Sequence, residues 1–176
     1  MKELMYEMNP WWEDSPKIEG ILRENYLEIF EKSLSNKDIL FITGLRRVGK
    51  STLLKQFIFR LIKEKKINAK RVMYLSLDAY LFKDNPINEL VREFRKIHNI
   101  KLDEKIYLFF DEVVYKTDFN QELKNLYDLG NVKIFASSSS ASLLRDKKAL
   151  LTGRTRTIEI DPLNFKEFLL FKNYSV

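Results

Sequence analysis

The chain contains no cysteine and a single histidine, His98. Disulfide frameworks and thiolate metal sites are therefore excluded, and one imidazole cannot build a zinc centre alone. Glycine and proline are scarce, five and four in 176 residues, which excludes collagen-like repeats and leaves no Pro/Gly-rich linker to mark a second domain. No stretch approaches the roughly 18 uninterrupted apolar residues of a membrane helix. The opening Met1-Lys2-Glu3, soon followed by Pro10-Trp11-Trp12-Glu13-Asp14, also lacks the apolar core of a signal peptide. The expectation is a cytoplasmic protein without a membrane partner.

What is present is a charged composition that can still bury a core. Hydrophobic residues make up 45% and charged residues 32% of a 21.1 kDa chain, enough for one α/β domain and not comfortably for two. Lys and Arg total 31 against 25 Asp and Glu, a net charge of +6. An excess of this size favours phosphate-bearing partners in general, although a lysine-rich solvated surface is the simpler account.

Residues 1–17, with Asn9-Pro10-Trp11-Trp12 and Ser15-Pro16, read as an irregular arm whose exposed-looking tryptophans need an apolar seat on the body or on a partner. A helical period runs from Glu19 to Leu34. Strand-like apolar runs then alternate with helical patterns. Strands are expected at Ile39–Thr43, Val72–Leu77, Lys105–Phe110, Val132–Ser137 and Thr157–Ile160. Helices are expected at Lys50–Lys65, Ile87–His98, Phe119–Leu129, Ala141–Leu151 and Leu163–Phe171. Five such units imply parallel pairing, with helices on both faces of one sheet. The expected organisation is an arm and helix over residues 1–35, packed on a core domain over 36–176.

Between the first strand and its helix lies Gly44-Leu45-Arg46-Arg47-Val48-Gly49-Lys50-Ser51, a full match to G-x-x-x-x-G-K-[ST] in the context that pattern requires. Its glycines let the backbone turn tightly, so that N–H groups point at phosphate oxygens, and the helix beginning at Lys50 adds its positive end. Lys50 is expected to reach the β- and γ-phosphates and the Ser51 hydroxyl to ligate Mg²⁺. Leu45, Arg46, Arg47, Val48 and Thr52 are counted with the binding residues.

The third strand ends in Asp111-Glu112. In this setting the first acid is expected to act on Mg²⁺, directly or through water, and the second to activate the attacking water as general base. A water-activating Glu favours hydrolysis over transfer to another substrate. The guanine-reading N-K-x-D pattern is absent, since Asn36-Lys37-Asp38 has the wrong spacing and precedes the loop, so ATP is preferred. The fourth strand runs into Ser137-Ser138-Ser139-Ser140, of which Ser137 and Ser138 are the candidates to sense the γ-phosphate, while others cap the next helix. Arg154 and Arg156 precede the fifth strand, and either can stabilise transition-state charge in its own site or a neighbour's. Arg154 is taken forward as the catalytic candidate.

The phosphate loop with Arg46-Arg47, the apolar strand ending in Asp111-Glu112, the Ser-rich strand end, Leu151-x-Gly153-Arg154 and Pro162-Leu163-x-Phe165-x-Glu167-Phe168 together resemble the archaeal and bacterial AAA-like P-loop ATPases. The similarity runs from about Asn9 to the end. The resemblance implies a sheet of order 5-1-4-3-2 in which Lys50, Ser51, Asp111 and Glu112 carry the chemistry. It also implies that the C-terminal effector domain usual in these ATPases is missing after Val176.

The expected function is Mg-dependent ATP binding and hydrolysis driving a switch, with ATP and ADP as ligands and a protein partner or self-association to follow. A non-hydrolysing ATP-binding scaffold is the alternative, and phosphotransfer lacks a recognisable acceptor pocket. DNA binding has no motif behind it: the basic run Arg60, Lys63, Lys65, Lys66, Lys70, Arg71 carries no interleaved stacking residues beyond those a core helix needs.

Overall fold

Strands of a parallel sheet are covered on both faces, so they read as continuous apolar runs rather than as alternating ones. Ile39–Thr43 (β1) is such a run and is buried along its whole length. The computed structural model describes residues 1–14, 17, 20–140 and 148–172. Within them, β1 is joined by Val72–Ser76 (β2), Ile106–Asp111 (β3), Val132–Ser138 (β4) and Thr155–Glu159 (β5). The sheet has five strands in the order β2-β3-β4-β1-β5, and every pairing is parallel. This is the expected α/β class and the expected order.

Around the sheet lie Lys2–Met8 (α1), Glu24–Lys32 (α2), Lys50–Lys63 (α3), Ile87–Ile97 (α4), Phe119–Leu129 (α5) and Phe165–Phe171 (α6). The apolar side of α3, with Leu53, Leu54, Phe57, Ile58 and Leu61, is buried in one continuous core with the strands. Phe109 and Phe135 stack across β3 and β4 at 4.8 Å, and Phe57 packs on Phe135 at 5.2 Å. Such ring pairs add about 0.5–1.5 kcal/mol beyond their area burial.

The arm departs from expectation. It holds α1, whose Leu4, Met5 and Met8 pack on the core, and a short 3₁₀ turn at Pro10–Trp12. A seven-residue helix is too short to stand alone, so packing holds it and local pattern did not announce it. Trp11 and Trp12 are 7% and 5% exposed, and both indole N–H groups donate to the Val72 carbonyl, at 3.1 and 2.8 Å. The apolar seat of Trp12 is within this chain, on Tyr6, Phe94 and His98.

Other boundaries shift for local reasons. The helix expected from Glu19 begins at Glu24, and its last turn is the 3₁₀ segment Ser33–Ser35. β5 begins at Thr155 instead of Thr157, because pairing with β1 recruits two polar residues onto an open edge. α6 starts after Asn164, whose side chain forms a capping box with Glu167. Most of the expected Ala141–Leu151 helix lies outside the described residues, as do Ser15-Pro16 and the start at Glu19; Lys148–Leu151 is a 3₁₀ turn.

Candidate functional site

Parallel pairing brings the carboxyl ends of the inner strands to one edge, where ligands of such sheets bind. Thr43 aligns with Ser138, and Ser76 with Asp111. The loops leaving these strands carry the phosphate-loop sequence, Glu112, Ser139 and Asp78. Gly44 is required there, since a Cβ on it would lie 2.4 Å from the Ile160 carbonyl oxygen. Gly49, at φ 96°, opens α3. Arg47 and Glu112 are non-glycine residues held at positive φ, 66° and 53°. Such strain persists only where surrounding contacts impose it, and it concentrates at functional sites.

Lys50 is buried and bends over its own loop, donating to the carbonyls of Gly44 and Leu45 at 3.0 Å each and to Ser139 Oγ at 2.8 Å. Glu112 Oε1 lies 3.9 Å away. Burial pushes the Lys50 pKa down, while Glu112 and Asp111 oppose that shift. Glu112 is gripped by Ser139, whose N–H donates to Oε2 at 3.0 Å and whose hydroxyl donates to Oε1. Asp111 is 3% exposed; Tyr74 Oη donates to its Oδ2 at 2.8 Å and Ser137 Oγ donates to its Oδ1.

These groups face a polar cavity of about 480 Å³ lined by Arg46, Arg47, Gly49, Lys50, Ser51, Thr52, Asp78, Glu112, Tyr115 and Ser139. A second cavity of about 500 Å³ adjoins it and shares Arg46, Arg47, Gly49 and Thr52. Its other walls are mostly apolar, among them Ile21, Leu45, Val48, Pro162, Leu163 and Phe171. Arg23 also lines it, with a bidentate pair to Glu167 of α6 at 2.7 and 3.0 Å and further bonds to the carbonyls of Asp161 at 3.0 Å and Val48 at 3.3 Å. One arginine thus ties the entry to α2, the loop, the exit of β5 and α6 together.

The predicted residues sort clearly against this geometry. Arg46, Arg47, Gly49, Lys50, Ser51, Thr52 and Glu112 line the polar cavity, and Leu45 and Val48 line the apolar one. Asp111 sits behind the polar cavity with both oxygens held by hydroxyls. Two placements need correction. The Ser138 hydroxyl is turned away, donating to the Ser140 carbonyl at 3.1 Å, and Ser139 is the serine in the cavity. β4 runs through Ser138, one residue beyond the expected end, so side-chain alternation sends that serine to the other face.

Arg154 lies at the amino edge of the sheet. Its carbonyl accepts from Ile39 N–H at 2.9 Å, and its guanidinium pairs with Asp128 at 3.4 Å, so the length of β1 separates it from this chain's own cavity. Arg156, on β5, lines neither cavity. Sequence reasoning missed Asp78, Tyr115, Arg23 and Tyr74, which belong to no local pattern. Only the position of Asp78 just past β2 offered a signal.

The cavities fit a nucleoside triphosphate with a hard divalent cation. A glycine-bounded loop opening a helix, a lysine and hydroxyl and carboxylate oxygens suit phosphate and Mg²⁺, and an adjoining apolar cleft suits a base.

Comparison with known proteins gives consistent findings. Residues 36–169 match the profile described as AAA domain. The chain is 36% identical over 158 residues to an uncharacterized protein of Methanocaldococcus jannaschii, covering 89% of this chain and 32% of that protein. It is 34% identical over 160 residues to an uncharacterized protein of Haemophilus influenzae, covering 87% and 38%. It therefore spans about a third of the length of the curated relatives it matches. The fold is similar to that in a structure of C. elegans PCH-2, with TM-score 0.50 and 18% identity over 79% of this chain and 40% of that one.

Proposed function

The chain belongs to the AAA domain family, and from that premise we propose that it binds Mg-ATP across the two adjoining cavities and hydrolyses the β–γ phosphoanhydride. The observation that carries this reading is the convergence of Lys50, Glu112 and Ser139 on one polar cavity that opens through Arg46, Arg47, Gly49 and Thr52 into an apolar one. In this reading the triphosphate takes the first cavity and the base the second. The described lining of the second includes no Asp or Glu. Guanine, which presents adjacent N–H donors, has no acidic acceptor there, and adenine is the better match.

Residues 44–52 bind the phosphates, with Lys50 exchanging its loop carbonyls for phosphate oxygens. Ser51 and Asp111, the latter directly or through water, would hold Mg²⁺. When bound there, it would supply charge neutralisation on the β- and γ-phosphates. Glu112 orients the attacking water and takes its proton, and Ser139 aims Glu112. Arg23 gives the switch its linkage: it holds the Val48 carbonyl of the loop and Glu167 of α6 at once, so a loop that moves on nucleotide binding pulls on that helix. We place the domain division between residues 35 and 36, with the arm and α2 serving the core. A protein partner or a second copy receives the switch.

A non-hydrolysing scaffold is the second reading. It is favoured by one observation: Arg154 and Arg156 do not reach the cavity, so no arginine beyond the phosphate loop lines it among the described residues. Binding of Mg-ATP and release of phosphate by the wild type, Lys50→Ala and Glu112→Gln, across protein concentration, separate the two. An ATPase loses binding in the first variant and turnover in the second. A scaffold binds yet releases no more phosphate than Glu112→Gln.

A further inference from the structure

The edge strand β2 connects the amino-terminal arm to the metal side of the site through one residue. Asn9 is fully buried, and its side-chain amide pairs with both backbone polar groups of Tyr74: Nδ2 donates to the Tyr74 carbonyl at 2.8 Å and Oδ1 accepts from the Tyr74 N–H at 2.6 Å. Asn9 Nδ2 also donates to the Met5 carbonyl at 2.7 Å, which fixes the amide to α1. The amide thus stands in for a neighbouring strand and closes an edge that would otherwise be open to foreign pairing.

From the same residue the phenol runs inward. Tyr74 Oη donates to Asp111 Oδ2 at 2.8 Å, Ser137 Oγ donates to Asp111 Oδ1, and the Glu112 N–H donates to Ser137 Oγ at 3.0 Å. A continuous line of hydrogen bonds leads from the arm to the backbone of the proposed general base.

We propose that Tyr74 is a positioning residue for Asp111, and that the arm sets Tyr74 through Asn9, so that the arm tunes metal binding at the site; this rests on the ATPase reading above. An ionised carboxylate has about four lone-pair directions. Two neutral donors, one on each oxygen, fix its orientation and leave acceptor capacity for water on a bound cation. A phenol facing a carboxylate oxygen at 2.8 Å can only be the donor of the pair. Partners behind a metal-binding group set its direction and basicity, and their loss typically costs about 10–100-fold in metal affinity.

The test measures Mn²⁺ binding by electron paramagnetic resonance to the full chain carrying a non-hydrolysable ATP analogue. Tyr74→Phe keeps the ring and removes the donor. It should raise the half-saturating Mn²⁺ about tenfold or more, while analogue affinity in chelator stays within about twofold. Asn9→Ala should move the midpoint in the same direction by less. Trp12→Phe removes the indole donor to the Val72 carbonyl and keeps the Asn9–Tyr74 pair; it should lower the melting temperature and leave the Mn²⁺ midpoint in place.

A folded Tyr74→Phe with the wild-type midpoint overturns the proposal while leaving the ATPase reading standing. A wild type that holds no analogue with or without metal overturns both. Should Tyr74→Phe not fold, an unchanged midpoint in Asn9→Ala overturns the proposal.

Discussion

Two buried lysines sit at opposite ends of the same sheet. Lys50, at the carboxyl edge, donates to two loop carbonyls and Ser139. Lys133, at the amino edge, is 1% exposed and donates to the carbonyls of Asn36 at 3.2 Å and Asp38 at 2.6 Å and to Asn36 Oδ1 at 3.3 Å. By burial and bond type they are alike. They differ in what surrounds them. Lys50 faces two carboxylates and a cavity beside residues at positive φ. Lys133 has Asp38 for attraction but Lys105 and Arg156 for repulsion, and all its bonds fasten the segment entering β1. Lys133 too lines a cavity, of about 210 Å³, near a residue at positive φ, Asn131, so neither burial nor strain nor open volume is a sign of a site by itself; the pair of carboxylates facing the lysine is what sets Lys50 apart.

The comparison breaks most directly by removing each amine. Lys50→Met should weaken Mg-ATP binding by about 10–100-fold, the scale for losing one charge-assisted hydrogen bond, whereas Lys133→Met should leave binding within about twofold. Equilibrium titration with a fluorescent ATP analogue reads both. Comparable losses in the two variants would dissolve the distinction.

Next comes the serine pair. Ser139→Ala removes the hydroxyl that donates to Glu112 Oε1 and accepts from Lys50, leaving only the backbone N–H on Oε2, and should slow phosphate release about 10–100-fold. Ser138→Ala removes a turn contact and should stay within about twofold. Arg154→Ala loses a pair with Asp128 and a cation–π contact with Tyr127, both at the amino edge of the sheet, so in dilute protein its phosphate release should also match wild type within about twofold. A large drop at low concentration would mean that Arg154 reaches the chain's own site after all.

The smallest effect is on pH dependence. Burial lowers the Lys133 pKa from 10.5 to about 8, so in that interval the unfolded chain binds the extra proton. Its contribution to stability is fully present above the unfolded value and is lost as pH falls through the folded one. Denaturant titrations should show wild type gaining on Lys133→Met as pH rises from 8 to 10.5, and no such gain would contradict the assignment.

What was legible in the sequence follows from how local each cause is. The phosphate loop, β1 and the α5 bounds at Phe119 and Leu129 rest on contiguous pattern, and the structure has them where pattern put them. Asp111 and Glu112 were recognisable as a pair, yet the hydroxyls holding them come from β2 and β4, partners that only the parallel register brings close. Ser138 and Ser139 differ by one step of alternation, which the extra residue of β4 decided. Arg154 looked catalytic because its position along the chain says nothing of which sheet edge it occupies. Arg23 and Glu167, 144 residues apart, form a pair no window can see. α1 exists because the edge of β2 needed covering.

Whether Glu112 activates water in a Mg-ATP site built around Lys50 is decided by single-turnover phosphate release from wild type and Glu112→Gln, each with its Mg-ATP fully bound. Water activation by Glu112 requires equal nucleotide occupancy and a release rate lower by about 10²–10⁴-fold in the variant, the usual worth of a general base. Equal release rates at equal occupancy would contradict it.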